Sequence, residues 1–131
     1  PWENYPDRKT SCLIGRWNSK VSSQYTHYPR PQDSGNHEDV TEVILTNKQG
    51  KGVRVTAIDR PFSFSALHYT VDDIYKTTHD CDLKPRKEVI LSLDAAVLGL
   101  GNSSCGPGVL KKYAIDKQKP HTLRVRFSLI K

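Results

Sequence analysis

The amino-acid sequence predicts an all-β fold, namely an antiparallel β-sandwich with long loops and one short helix. The last ten residues, TLRVRFSLIK, alternate apolar and polar side chains, which is the pattern of a half-buried strand. Eight prolines and eight glycines accompany little helical patterning, and this favours short strands joined by turns. A length of 131 residues fits one domain with a modest core.

The first half of the chain contains weak and strong strand patterns. Weak candidates lie at residues 12–17 (CLIGRW) and 21–28 (VSSQYTHY). The segment 28–39 is polar and contains prolines, so it is predicted to be a loop. Residues 40–46 and 53–58 are rich in β-branched side chains and are joined by a glycine-containing turn, which predicts a hairpin.

Two further predicted strands flank the one predicted helix. Residues 62–69 (FSFSALHY) and 87–94 (KEVILSLD) carry apolar side chains at alternate positions, as strands with one buried face do. Between them, Thr70 and Asp73 have the spacing of a capping box ahead of VDDIYKTTHD. This spacing predicts a short helix that begins directly after Thr70.

The charge pattern bears on possible partners. The formal net charge is +6, which makes nucleic acid a candidate. The basic residues are scattered, however, and cluster only as pairs in predicted loops, such as Lys111 and Lys112. We therefore predict no nucleic-acid partner. No apolar run approaches the length of a membrane span, so no membrane partner is predicted. Since the chain contains no Met, we expect it to be a piece of a longer or processed protein.

The cysteines do not form a familiar framework. Cys12, Cys81 and Cys105 are an odd number with no Cys-x-x-Cys pair, which argues against a disulfide scaffold or a zinc site of the usual spacing. One disulfide remains open. His79 and Cys81, each followed by an aspartate, have the donor types of a metal site, but at a predicted helix end such residues usually cap or face water. No metal site is predicted.

The stretch GLGNSSCGP at 99–107 is the most unusual part of the chain. Gly101 and Gly106 match the two glycines of a phosphate-binding loop, but Pro107 follows where lysine is needed. A dinucleotide fingerprint fails because position 104 is serine. As a nucleophile, Cys105 would need a neighbouring base, and none of the five histidines has a sequence context that selects it. A cysteine that only packs is the favoured interpretation.

A glycosidase needs two carboxyl groups roughly 5–10 Å apart. The chain has four glutamates, and none has a sequence setting that indicates catalysis; they are Glu3, Glu38, Glu42 and Glu88. We therefore predict that the chain itself contains no catalytic residue.

Four separated motifs nevertheless carry a specific resemblance. They are ENYPDR at 3–8, RPQDSGNHEDV at 30–40, FSFSALHYTVDDI at 62–74 and LSLDAAVLGLGNSSCGP at 91–107. In this order and spacing they resemble the C-terminal domain of bacterial β-galactosidases of glycoside hydrolase family 2. The match covers nearly the whole chain. It implies that residues 1–131 are a single fragment, the C-terminal part of the terminal domain of a larger multidomain enzyme, with a galactose-mutarotase-like β-supersandwich fold.

The resemblance also implies an activity for the longer protein. Such an enzyme hydrolyses terminal β-D-galactosides with retention, by two glutamates on a TIM barrel upstream, so the fragment alone is expected to be inactive. Its partners would be the other domains, notably the barrel, and the galactoside substrate; homo-oligomers occur. The family often uses Mg²⁺ and Na⁺ at sites elsewhere, and no cofactor is expected in this piece. The compartment stays open between bacterial cytoplasm and periplasm.

The resemblance assigns a role to the glycine-rich loop. In the family, the loop resembling 99–107 carries a tryptophan at the position of Cys105, and its flat face lies against the sugar. Asn102 stands where an acidic or polar residue is common. The resemblance therefore implies that Asn102, Ser103, Ser104 and Cys105 lie near the sugar site. A cysteine cannot stack on a pyranose as an aromatic ring does, but it can form a small apolar wall.

Two other classes of function remain open. The chain could be an isolated carbohydrate-binding module, in which exposed aromatic side chains form a sugar platform; the candidates are Trp2, Trp17, Tyr25 and Tyr28. It could also be a purely structural or interface domain, whose apolar surface is built to contact other domains.

Overall fold

A computed structural model describes residues 3–131 of the chain; Trp2, proposed for the sugar platform, lies outside the described residues. The strands and the helix follow one another as β1 (His37–Val40), β2 (Glu42–Thr46), β3 (Gly52–Ala57), β4 (Phe62–Leu67), α1 (Val71–Lys76), β5 (Ile90–Asp94) and β6 (Val125–Ile130). Short 3₁₀ turns occur at Val21–Ser23, Asp80–Asp82 and Lys111–Tyr113. Long loops occupy the rest.

The strands form two three-stranded sheets. One has the order β1-β4-β5 and the other the order β2-β3-β6, and every pairing is antiparallel. The predicted class, an antiparallel all-β sandwich with one short helix, is confirmed for residues 3–131. Strands β2 to β6 lie at or near the predicted positions, whereas β1 was not predicted, because residues 37–39 fall in the segment predicted to be a loop.

The main core lies between the two sheets. Its buried members are Val43, Val55 and Phe62, from β2, β3 and β4. Partly buried side chains from both sheets and from the approach to β6 pack against them; these are Val40, Ala57, Phe64, Leu91, Leu93, Leu123 and Val125. Each buried side chain of this size contributes about 1.5–3 kcal/mol to stability. The packing of these side chains against one another therefore holds the two sheets together.

The β2–β3 hairpin forms as predicted, although its first strand is shorter. Val40 belongs to β1 in the other sheet, and the chain changes sheets at Thr41. The turn is stabilised by Asn47, whose side-chain oxygen accepts the N–H groups of Gln49 (2.9 Å) and Lys51 (3.1 Å). Gly50 has a φ of 79°, a conformation that glycine adopts without steric cost.

The capping box and the helix are confirmed. The N–H of Asp73 donates to the Thr70 hydroxyl (3.1 Å), and the N–H of Thr70 donates to the Asp73 carboxylate (2.9 Å). The helix ends at Lys76 because Thr77 has an extended ψ of 125°. Its buried side chain, Ile74, joins a second core cluster with Tyr25, Leu67 and Leu83.

Two strand predictions are wrong. Residues 12–17 form no strand, and within 21–28 only a 3₁₀ turn forms. Leu13 and Ile14 are exposed, and an apolar run does not by itself make a strand. The turn closes through the N–H of Gln24, which donates to the carbonyl of Val21 (3.0 Å).

The final strand forms as predicted, but its apolar face is only partly covered. Val125 packs into the core, whereas Phe127 is 59% and Leu129 is 83% exposed. The reason is that β6 is an edge strand and the opposite sheet covers only the first part of it. The expected half-buried face is therefore incomplete in this chain.

Candidate functional site

The glycine-rich loop 99–107 is attached to the N-terminal motif through Asp7. One carboxylate oxygen of Asp7 accepts the N–H of Leu100 (2.9 Å), and the other accepts the N–H of Gly101 (2.8 Å). The Asp7 side chain is only 7% exposed. Backbone N–H groups outside regular secondary structure need other acceptors, and this carboxylate satisfies two consecutive ones.

The electrostatics favour an ionised Asp7. Burial raises the pKa of a carboxyl group, but the N–H groups of Gly101 and Leu100, with the nearby Arg8 guanidinium, outweigh burial and lower the pKa of Asp7 below its ordinary value. Hydrogen bonds to a charged acceptor are stronger than those between neutral groups. The attachment is therefore fully formed at neutral pH.

Arg8 contacts the next two positions of the same loop. Its Nη2 donates to the carbonyl of Gly101 (3.0 Å) and to the side-chain oxygen of Asn102 (2.7 Å). Asn102 in turn closes the loop, because its N–H donates to the carbonyl of Pro107 (2.9 Å) and its carbonyl accepts the N–H of Cys105 (3.0 Å).

The loop glycines are required by sterics. Gly101 has a φ of 63°, and a Cβ on it would lie 2.7 Å from the backbone nitrogen of Val109. A Cβ on Gly99 would lie 2.9 Å from the Cβ of Tyr113 and 3.0 Å from the Asp7 carboxyl carbon. Glycine therefore allows the loop to approach both Asp7 and the backbone that follows it.

The four residues assigned to the sugar site lie together at the tip of this loop. Asn102, Ser103, Ser104 and Cys105 are all exposed and form one turn. The Cys105 thiol is free, and its one hydrogen-bond contact among the described residues is the Ser104 hydroxyl at 4.0 Å. The turn thus presents small polar groups and one thiol to solvent in this chain, and the thiol is not packed in a core.

The other half of the N-terminal motif contacts the loop before β1. One Glu3 carboxylate oxygen accepts the N–H of Gly35 (2.6 Å) and the hydroxyl of Tyr5 (3.1 Å). The other accepts the hydroxyls of Thr26 (3.2 Å) and Tyr28 (3.3 Å). The N–H of Glu38 donates to the Asn4 side chain (2.7 Å). The motif 3–8 is thus a polar bridge between residues 35–38 and the loop 99–107.

Two further carboxylates, those of Glu38 and Asp94, lie on β1 and β5 of the same sheet. Glu38 accepts the Ser63 hydroxyl (2.6 Å) and the Asn36 amide (2.9 Å), so that it is engaged in holding β1 and β4 together. Burial, followed by the charges of Asp33 and Glu38, raises the pKa of Asp94. Within residues 3–131, no group of three or more histidine, cysteine, aspartate and glutamate side chains could hold a metal ion.

One member of the proposed aromatic platform is inaccessible to a ligand. Tyr25 is 7% exposed and belongs to a core cluster, so its inclusion is wrong. Trp17 is exposed and lines a groove of about 640 Å³ together with Leu13 on its own segment and Val43 and Leu45 on β2. No residue of the loop 99–107 lines this groove.

Asp7 and Arg8 were not among the residues that sequence patterns selected for the site. The sequence feature that could have indicated such a contact was the glycine-rich loop, since a turn of this kind leaves backbone N–H groups that need an acceptor. Nothing in the sequence indicated that the acceptor lies at residue 7.

The sandwich and the polar bridge define an all-β domain in which distant motifs converge on one exposed loop. Comparison with known proteins identifies its family. The model of the family described as Beta galactosidase small chain matches residues 1–129, and the chain belongs to this family.

Individual relatives agree with the family match. The chain is 36% identical over 120 residues to the β-galactosidase of Kluyveromyces lactis, covering 90% of this chain and 11% of that protein. It is 33% identical over 132 residues to β-galactosidase BgaC of Bifidobacterium adolescentis, covering 98% and 12%. With the β-galactosidase of Arthrobacter sp. it shares 31% identity over 131 residues, covering 96% and 13%. The chain therefore spans about an eighth of the length of these relatives. Within residues 3–131, no helix is both long and apolar enough to span a membrane.

Proposed function

We propose that this chain is the C-terminal part of a β-galactosidase of glycoside hydrolase family 2, and that it contributes a wall of the sugar site without supplying the catalytic glutamates. The family match and relatives named β-galactosidase support the activity of the longer protein. The observation that carries the role of this chain is the loop 99–107, which is exposed at its tip and held at its base by Asp7.

The chemistry of the tip suits a sugar. Ser103 and Ser104 offer hydroxyls that can donate and accept hydrogen bonds, and the Asn102 amide nitrogen remains to donate, since its oxygen already accepts from Arg8. Cys105 adds a small apolar surface. A galactoside, with hydroxyls at its rim and C–H groups on its face, matches such a mixture.

The bond-breaking groups belong to other parts of the longer protein in this proposal. Retaining hydrolysis needs an acid and a nucleophile roughly 5 Å apart, and Glu3 and Glu38 are engaged in the polar bridge and the β1–β4 contact. The two catalytic glutamates are assigned to a TIM barrel. The Mg²⁺ and Na⁺ of the family are likewise assigned to other regions.

Exposed apolar side chains support the proposal that other domains cover part of this one. Phe127 and Leu129 on β6, and Leu13, Ile14 and Trp17 near the N-terminus, are each more than half exposed. Clustered apolar side chains on a surface commonly mark contacts with other protein. We propose that residues 1–131 are one fragment of a larger β-supersandwich with a galactose-mutarotase-like fold, and that the remainder of the longer protein covers these side chains.

The test is enzymatic. The full-length product of the natural reading frame should hydrolyse a chromogenic β-galactoside, and should act more slowly on the matched α-galactoside and β-glucoside. A full-length product that folds, contains a barrel and yet leaves all three substrates intact would contradict the proposed activity.

A further inference from the structure

We propose that Asp7 and Arg8 are positioning residues that together hold the loop 99–107 in the conformation presented to the sugar. The inference rests on the proposed function, because it assigns how the wall of that site is held. Neither residue lies at the exposed tip of the loop, so each acts through the loop residues that it contacts.

The contact made by Asp7 fixes an orientation as well as a position. Its two oxygens accept the N–H groups of two consecutive residues, Leu100 and Gly101. A single hydrogen bond would allow the loop to rotate about it, whereas two bonds from one planar carboxylate restrain both peptide units. The 7% exposure of the side chain limits competition from water.

Arg8 extends this restraint into the tip. Its guanidinium contacts the carbonyl of Gly101 and the side-chain oxygen of Asn102, and Asn102 accepts the N–H of Cys105. A continuous series of hydrogen bonds therefore runs from Asp7 and Arg8 to Cys105. Both bonds come from the single nitrogen Nη2; a lysine at position 8 would keep the charge but would replace the planar guanidinium by an ammonium group on a flexible stem.

The fit between Asp7 and the loop is mutual. Gly99 lies so close to the Asp7 carboxyl that a Cβ would be 3.0 Å from its carbon, and the N–H of Gly99 donates to the carbonyl of Tyr113 (3.1 Å). The base of the loop is thus held between Asp7 on one side and Tyr113 on the other.

The first measurement is hydrogen–deuterium exchange on the full-length protein. Asp7→Ala removes both acceptors, Asp7→Asn keeps one acceptor oxygen, and Arg8→Lys tests the geometry. We expect exchange in the peptide 99–105 to rise on the order of 10- to 100-fold in Asp7→Ala, as loss of hydrogen bonds to a charged group predicts, and by less in the two conservative variants.

Asp116→Ala is the matched control for Asp7→Ala. The Asp116 carboxylate also accepts a backbone N–H, that of Gln118 (3.0 Å), in an exposed turn. Loss of the Asp116 carboxylate should leave both hydrogen exchange in residues 99–105 and activity unchanged. This control separates a general effect of removing an aspartate from the effect of removing the contact between Asp7 and the loop.

The second measurement distinguishes positioning from plain structural support. Loss of the contact should lower kcat/KM for a β-galactoside roughly 10-fold, and should change the ratio of kcat/KM between two galactosides with different leaving sugars. A residue that only stabilised the domain would lower the melting temperature and leave this ratio unchanged.

The outcomes are distinct. Faster exchange together with an altered ratio supports the proposal. Unchanged exchange in Asp7→Ala overturns it, and so does faster exchange with an unaltered ratio. A wild-type protein without galactosidase activity would overturn the proposed function and hence the positioning role, while the exchange data would still report whether the contact restrains the loop.

Discussion

The carboxylate of Asp7 lies 2.8 Å from the backbone nitrogen of Gly101, although 94 residues separate the two in the chain. The same carboxylate accepts the N–H of Leu100. Two motifs that are far apart in sequence are therefore parts of one structural unit, and this unit ends in the four residues assigned to the sugar site.

The first prediction concerns the titration of Asp7. Because the folded-state pKa is lowered relative to an unfolded value near 3.9, the stabilisation is fully present above that value. It is lost as the pH falls through the folded-state pKa. In an NMR titration, the Leu100 and Gly101 amide shifts should follow a midpoint below about 3.9. The Asp7→Asn variant should remove this transition, and a midpoint at or above the ordinary value would contradict the prediction.

The second prediction is a graded series of glycine substitutions. Gly101 combines a φ of 63° with a clash, Gly50 has a φ of 79° with open space, and Gly108 has neither feature. A non-glycine residue in the left-handed region costs about 1–2 kcal/mol, and overpacking adds roughly 1–3 kcal/mol. In denaturant unfolding, Gly101→Ala should therefore lose the most unfolding free energy and Gly50→Ala less. Gly108→Ala should stay within about 1 kcal/mol of wild type. Equal losses for Gly101 and Gly108 would argue against this loop conformation.

The third prediction compares two phenylalanines. Phe62 is 2% exposed, whereas Phe127 is 59% exposed. In the 131-residue chain, Phe62→Ala should lower the unfolding free energy by about 3–5 kcal/mol, and Phe127→Ala by less than about 1 kcal/mol. In the full-length protein the cost of Phe127→Ala should increase, since other domains are proposed to cover β6. The same small cost in both proteins would show that this face stays uncovered.

The fourth prediction concerns the chain by itself. Purified residues 1–131 should not hydrolyse a chromogenic β-galactoside, because both catalytic glutamates are proposed to lie on another part of the longer protein. They should bind galactose or lactose more weakly than about 1 mM. Activity that survives purification and disappears in a Glu38→Gln variant would contradict the first part. A tighter calorimetric dissociation constant would favour the carbohydrate-binding module.

The fifth prediction concerns Cys105 in the full-length protein. Cys105→Ala should change kcat/KM by only a few fold, since a thiol lacks the stacking contribution of about 0.5–1.5 kcal/mol that an aromatic ring supplies. Cys105→Trp should alter selectivity among galactosides with different leaving sugars. A thousandfold loss in the alanine variant, with an unchanged circular dichroism spectrum, would show that the thiol takes part in chemistry. Unaltered selectivity in both variants would show that the loop points away from the sugar.

Local features were predictable because neighbouring residues determine them. The β2–β3 hairpin follows from its turn, in which Asn47 accepts two nearby N–H groups. The helix start follows from the Thr70–Asp73 capping box. The alternation in β4 and β6 similarly identified strands, because side chains on a strand point to opposite faces in turn. The motifs also indicated a β-galactosidase, and the match to the β-galactosidase small-chain family confirms this coarser assignment.

The sequence by itself thus determined the class of fold, most strands, the helix cap and the family. Only the tertiary structure decided that residues 12–17 have no strand partner, that Tyr25 is buried, and that Phe127 extends beyond the opposite sheet. It also decided that Asp7 is the acceptor for the loop at Gly101. These features depend on which distant segments of the chain come into contact. Such contacts form only when the two sheets pack together, and the local propensity of a segment carries no information about its distant neighbours.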